Sequence, residues 1–160
     1  MITAGEVAPT FTLPDQDGTE VSLSAFRGQY VVLYFYPEAS TRGCTIEARS
    51  FRTEWDAFTD LEVPVVGISM DDVEDIAAFA EAESLPFTLL ADADGEVARD
   101  YGVYAEREIQ GESTELALRT TVIVDPDGQV VRVFEDVAPE DHAQEVLEAV
   151  EELTGQPTDS

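Results

Sequence analysis

Residues Tyr30 to Tyr36 form an unbroken apolar run that stops at Pro37. It is far shorter than the ~20 residues a membrane-spanning helix needs. Its Val, Tyr and Phe content suits a strand. With no polar position along it, neither face of that strand can be left to water. The run therefore predicts a central strand in a sheet covered on both sides. Pro37, which has no N–H to donate, ends it.

The rest of the chain supplies the covering layers. Phe11 to Leu13 and Glu20 to Leu23 flank Asp15-Gln16-Asp17-Gly18 and predict an N-terminal β-hairpin. A loop from Glu38 to Gly43 leads into a predicted helix from about Arg42 to Thr59, whose Cys44, Ala48, Phe51, Trp55 and Phe58 share one face. Val63 to Ser69 reads as a second buried strand, and Asp71 to Ala82 as a helix turning Val73, Ile76, Ala77 and Ala80 inward. Then come a short strand at Phe87 to Leu90 and a short helix at Gly95 to Tyr101. A hairpin joins Thr120 to Val124 with Gln129 to Phe134 around Asp125-Pro126-Asp127-Gly128. The last helix, Pro139 to Leu153, puts Ala143, Val146, Leu147, Val150 and Leu153 on one face. Hairpin, strand, helix, strand, helix, strand, helix, hairpin, helix is the order of an α/β sandwich with a mixed central sheet, and a thioredoxin-like layout fits it. One domain over residues 1–154 accounts for the pattern, with a frayed polar tail at 155–160.

The charge is one-sided. The chain has 35 Asp and Glu against 8 Arg, no Lys, and a net charge of −27. Such a surface repels phosphate backbones and anionic lipid, which argues against nucleic-acid and membrane partners. Carboxylates at this density repel one another in dilute buffer, and in molar salt a Debye length of ~3 Å screens them. The composition therefore resembles that of proteins from extreme halophiles, with loosening expected below about 0.5 M salt. Asp15-Gln16-Asp17-Gly18, Asp92-Ala93-Asp94-Gly95 and Asp125-Pro126-Asp127-Gly128 lack the further ligands of a calcium loop and read as turns. Met1 to Pro9 shows neither a basic nor an apolar leader pattern. A single Cys, Cys44, and a single His, His142, allow no intrachain disulfide and no Cys/His zinc site. A lone thiol suits a reducing cytoplasm.

Cys44 falls in the first turn of its predicted helix, where free backbone N–H groups and the positive helix end favour a thiolate. Arg42, Arg49 and Arg52 lie nearby in sequence and would add positive charge in a chain that has little. The opposing reading is a small buried hydrophobe, since Cys44 also lies on the apolar face. Thr41 is equally placed to cap the helix. His142, among acids in the first turn of the last helix, reads as solvated. Trp55, Phe51 and Phe58 read as core, and Tyr36 as core or site lining.

The local pattern around the thiol is more specific. Pro37-x-x-x-Thr41-x-x-Cys44 resembles the peroxidatic motif of the peroxiredoxins. So do the opening Ala4 to Gly18, the strand Val32 to Pro37, Gly43-Cys44-Thr45-x-Glu47-Ala48, Leu85-Pro86-Phe87, and Arg119-Thr120-Thr121-x-Ile123-Val124-Asp125. The resemblance covers roughly residues 2 to 153 and is closest to the bacterioferritin comigratory protein, or peroxiredoxin Q, branch of these AhpC/TSA-like proteins. It implies a thioredoxin-type fold and a peroxidase that needs no cofactor and no metal. By resemblance Cys44 attacks a hydroperoxide, and Thr41 orients it by accepting from the peroxide and donating toward the thiolate. The backbone N–H groups of Gly43 and Cys44 bind the peroxide oxygens. Pro37 shields the sulfur, Arg119 favours the thiolate, and Glu47 orients an Arg.

Two positions depart from the branch. Arg42 stands where many members have Pro, and Arg49 where members that resolve the sulfenic acid internally carry a second Cys. The chain thus looks like the one-cysteine type, and the resemblance implies recycling by an external thiol such as thioredoxin or a glutaredoxin-like protein, a small thiol being equally consistent with the residues, in a monomer or a homodimer. A rival reading makes it a redox-sensing or interaction module in which Cys44 reacts once and signals. Another makes it an inert thioredoxin-like domain with an unreactive thiol. Absence of Cys-x-x-Cys argues against a general thiol–disulfide oxidoreductase.

Overall fold

The computed structural model describes residues 2–39, 41–109, 111–135 and 139–155. The apolar run forms β3 (Val31–Phe35), and all five of its residues are buried. It lies at the centre of a five-stranded sheet in the order β5 (Thr88–Ala91), β4 (Val65–Ser69), β3, β8 (Thr120–Val124), β9 (Val130–Phe134). β4 runs parallel to β3, and β5 parallel to β4. β8 pairs antiparallel with β3, and β9 antiparallel with β8. β1 (Thr12–Pro14) and β2 (Glu20–Ser22) make the N-terminal hairpin. This is the expected mixed α/β sandwich.

Alternation along β3 divides the core in two. Val32, Tyr34 and Tyr36 face a layer built by α1 (Arg42–Thr53), α2 (Trp55–Asp60), α3 (Val73–Glu83) and α5 (His142–Thr154). Val31, Leu33 and Phe35 face α4 (Glu96–Asp100) and the N-terminal segment through Val97, Ala98, Tyr101, Phe11 and Leu23. In the first layer the Tyr34 and Phe51 rings stack with centroids 4.6 Å apart. Both predicted Asp-Gly hairpin turns form. Asp15 Oδ1 accepts from the Asp17 and Thr19 N–H groups, and Asp125 Oδ1 from those of Asp127 and Gln129. Gly18 and Gly128 supply the positive φ the turns need, 81° and 86°. Buried Asp92 differs, since its carboxylate reaches on to the N–H groups of Val97 and Ala98 at the start of α4.

The structure corrects the sequence reading in three places. The helix expected over 42–59 breaks at Glu54, which has φ −93° and ψ 5°. The Thr53 hydroxyl donates to the Arg49 carbonyl one turn back, a bond that bends helices. The break lets Trp55 pack beside Phe87 while Phe58 enters the core. In α3, Phe79 is buried with Ile76, and it was absent from the expected inward face. A further hairpin, β6 (Tyr104–Ile109) with β7 (Glu112–Ala117), fills a stretch to which no element was assigned. Its strands are laden with acids and, among the described residues, pair only with each other, so a reading based on apolar burial passes over them. Among the described residues no helix is long and apolar enough to cross a membrane. Most of the polar tail, residues 156–160, lies outside the described residues.

Candidate active site

β3 ends at Phe35 and aims the following segment at the N-terminus of α1. Tyr36 is fully buried and Pro37 half-buried. The loop then turns outward and is braced from the next strand, where the Asp71 carboxylate, just past β4, accepts the Ala39 N–H at 2.9 Å. Thr41 stands at the N-cap position with extended backbone, φ −81° and ψ 160°, but its side chain caps nothing. Its hydroxyl donates to the Glu38 carbonyl at 2.8 Å. It therefore does not donate toward the thiol as expected, and its lone pairs are left to accept.

Cys44 is the third residue of α1 and only 1% exposed. The first intrahelical bond of this end runs from the Thr45 N–H to the Thr41 carbonyl, 2.9 Å. By helix geometry the N–H groups of Arg42, Gly43 and Cys44 then have no acceptor within the helix, and they present partial positive charge beside the sulfur.

Arg119 arrives from the opposite direction. It occupies the bend just before β8, and Thr120 pairs with Phe35. The residue preceding β8 is thus delivered to the place where β3 gives way to the loop. Its Nη2 donates to Cys44 Sγ at 3.5 Å and its Nη1 to Glu47 Oε1 at 2.8 Å. Glu47 lies one turn beyond Cys44 on the same face and is fully buried. Its other oxygen, Oε2, has no hydrogen-bond partner among the described residues, and neither does the Tyr34 hydroxyl. Burial pushes the Glu47 carboxyl up to about 7, against the downward pull of Arg119. Burial likewise holds the Tyr34 and Tyr36 phenols neutral.

Gly43 has a steric duty as well as a backbone one. A Cβ there would lie 2.9 Å from Arg119 Nη2 and 4.0 Å from Pro139 Cγ. The absent side chain is what lets the guanidinium lie against the first turn of α1.

Pro37, Thr41, Gly43, Cys44, Glu47 and Arg119 are therefore gathered at one end of the sheet. Two other expectations fail. Arg49 and Arg52 turn away from the thiol to α3, where Arg49 pairs with the Glu83 carboxylate and Arg52 donates to the Glu83 carbonyl. Arg42 is exposed. The cation in contact with the sulfur comes from a distant part of the chain. His142 is not solvated but 1% exposed. Its Nε2 meets the Thr121 hydroxyl and its Nδ1 the Glu145 carboxylate at 3.2 Å, and its ring lies edge-on to Phe51 and Phe134. Burial lowers its pKa, and Arg119 opposes its charge further. Sequence reasoning missed Asp71 as the loop brace. One acid among 35 carries no signal of its own.

The chain matches the AhpC/TSA family over residues 4–133. Peroxiredoxin Bcp of Escherichia coli K12 is 42% identical over 149 residues, which cover 93% of this chain and 96% of that protein. The crystal structure of peroxidoxin BcpB from Mycobacterium tuberculosis superposes with a TM-score of 0.86 at 37% identity, covering 96% of this chain and 99% of the other. Bacterioferritin comigratory protein of Xanthomonas campestris, whose structures address its alkyl peroxide reduction activity, superposes with a TM-score of 0.87 at 30% identity, covering 95% and 99%.

Proposed function

The chain belongs to the AhpC/TSA family, and on that footing we propose that it is a thiol-dependent peroxidase acting on hydrogen peroxide and organic hydroperoxides. The observation that carries the reading is the Arg119 fork, one arm on the Cys44 sulfur and the other on buried Glu47, at an open helix N-terminus.

The Cys44 thiolate attacks one peroxide oxygen. An S–O bond forms as the O–O bond breaks, the sulfur loses two electrons to the departing oxygen, and that oxygen leaves as an alkoxide or hydroxide that takes up a proton. The free N–H groups of Gly43 and Cys44 donate to the peroxide oxygens, and Arg119 offsets the charge that develops on them. Thr41, its own proton committed to Glu38, accepts a hydrogen bond from the peroxide O–H, which keeps its proton, and so fixes which oxygen faces the sulfur. Pro37, half-buried two residues past β3, shields the sulfur in this reading.

The product is a sulfenic acid on the chain's single Cys, so reduction needs an external thiol. That thiol attacks the sulfur, water leaves, and a second thiol reduces the mixed disulfide. Thioredoxin or a glutaredoxin-like protein fits this role, and a reducing cytoplasm would supply either. All site groups come from one chain, residues 1–154 acting as one domain, so the reading holds for a monomer or a homodimer. The charge of −27 without Lys supports work in molar salt.

In molar KCl, reduced protein is treated with equimolar hydrogen peroxide and dimedone and read by intact mass beside Cys44→Ser. A rapid adduct confined to Cys44 is expected, and an unoxidised thiol after minutes refutes the proposal. Many turnovers with a thiol donor distinguish the enzyme from a sensor that reacts once.

A further inference from the structure

Around Arg119 the charges do not balance if both acids ionise. One guanidinium contacts two acidic groups, Cys44 Sγ and Glu47 Oε1, and both belong to buried residues on one face of α1. Two negative charges against one positive would leave a net negative charge on two buried groups beside a guanidinium only 19% exposed, which is costly in a medium of low polarity. Neutrality requires one proton to stay on the pair. Carried by the sulfur, it would leave an unreactive thiol. Glu47 has a place for it, because Oε2 is buried without a partner while Oε1 accepts from Arg119.

We propose that Cys44 and Glu47 share one proton across Arg119, and that in the reactive state Glu47 holds it. Glu47 thereby acts as a proton-holding residue for the thiolate as well as a brace for the guanidinium. The other groups facing the pair leave this balance intact. Tyr34 and Tyr36 of β3 are neutral phenols, and His142 of α5 is a buried histidine whose charging Arg119 opposes. Asp71, beyond β4, faces Tyr36 and binds the Ala39 N–H, and Arg42, on α1 itself, is exposed. Burial of Glu47 works in the same direction, moving its carboxyl up to about 7.

The balance also accounts for the reaction's proton. Thiolate, protonated Glu47 and hydroperoxide become sulfenic acid, Glu47 carboxylate and alcohol. The S–O bond forms, the O–O bond breaks, and the proton leaving Glu47 equals the one the departing oxygen gains. Once the sulfur is neutral, Arg119 belongs to Glu47 alone and the carboxylate becomes the stable form.

This inference rests on Cys44 being the reactive thiol, and alkylation tests it without peroxide. Infrared difference spectra at pH 6 compare reduced wild-type protein with the same protein alkylated by iodoacetamide. A protonated-carboxyl band should be present before alkylation, be lost after it, and be absent from Glu47→Gln. The Gln side chain keeps an acceptor for Arg119 and reproduces the neutral charge of protonated Glu47, so the ratio of the alkylation rate at pH 6 to that at pH 9 should stay within about twofold of wild type in Glu47→Gln. Were Glu47 ionised beside the thiolate and confined to orienting Arg119, removing its charge would leave the cation to the thiolate and raise that ratio by about tenfold. Either that pattern, or a wild-type spectrum without the band, overturns the proposal, and the wild-type spectrum decides even if a variant fails to fold. Protein that alkylates as described yet fails to reduce peroxide would defeat the peroxidase reading and leave this one standing.

Discussion

Replacing Gly43 by Ala should separate the stability of α1 from the reactivity of its thiol. Gly43 lies inside the helix and is not among the residues of positive φ, so Ala fits the backbone. Ala gains up to about 1 kcal/mol over Gly in a helix. The added Cβ, however, lies 2.9 Å from Arg119 Nη2. A flexible side-chain end usually gives way at little cost, but this one is tethered by the other arm of its fork on Glu47. Relief to ordinary contact moves Nη2 by about half an ångström. The contact with Cys44 Sγ then lengthens from 3.5 Å to about 4.0 Å, which at an effective dielectric of about 20 weakens a unit charge pair by about 0.6 kcal/mol. That is a factor of about three in the rate of thiolate attack, and more if the donor angle also suffers. Stopped-flow loss of tryptophan fluorescence from Trp55, or competition for peroxide, gives the rate constant, and thermal unfolding in the same molar KCl gives stability. The expected pair is a melting temperature equal to or above wild type and a second-order rate about threefold lower. Full reactivity in Gly43→Ala would show that the guanidinium does not need its present seat, and the electrostatic argument would fail.

Other perturbations test the remaining supports. Asp71→Ala frees the Ala39 N–H and loosens the loop bearing Pro37 and Thr41, and a hydrogen bond to a charged group of about 1.5–3 kcal/mol sets an upper limit of roughly tenfold to a hundredfold on the loss in kcat/KM. Asp71→Asn keeps the acceptor and should recover most of the loss, and equal defects in both variants would refute the bracing role. Because burial depresses the folded-state pKa of His142 below its ordinary 6.5, the unfolded chain binds the proton more tightly. The stabilising contribution of neutral His142 is therefore present above 6.5 and lost as pH falls below it. The melting-temperature gap between wild type and His142→Gln should narrow from pH 7.5 to pH 5 in constant salt, and a constant gap would contradict the buried neutral imidazole. Melting in rising KCl should climb steeply up to about 0.5 M and then flatten as the carboxylates are screened, whereas a salt-independent midpoint would remove the halophilic reading.

The site was legible in uneven measure. Cys44, Thr41, Pro37 and Gly43 lie within eight residues of one another, and their pattern survives in the sequence because a strand end, a loop and a helix start are local events. Arg119 was reached only through resemblance to a family. No local rule distinguishes it from the other seven Arg, and the closer Arg49 and Arg52 looked the better candidates. Their long side chains instead found Glu83 at the end of α3. Glu47 could be assigned to an Arg but not given its burial, which depends on α1 packing against the sheet and α5.

By itself the sequence determined a buried central strand, the helices whose apolar faces repeat at helical spacing, both Asp-Gly turns and a thiol in a first helical turn. These follow from side-chain periodicity and backbone chemistry within a few residues. Tertiary structure decided which cation meets the thiol, whether His142 is wet or dry, where the long helix breaks, and that an acid-laden hairpin stands between α4 and β8. Those outcomes turn on pairing and burial between segments distant in the chain. The antiparallel register of β8 against β3, Phe35 opposite Thr120, is what carries Arg119 to within 3.5 Å of a sulfur 75 residues away.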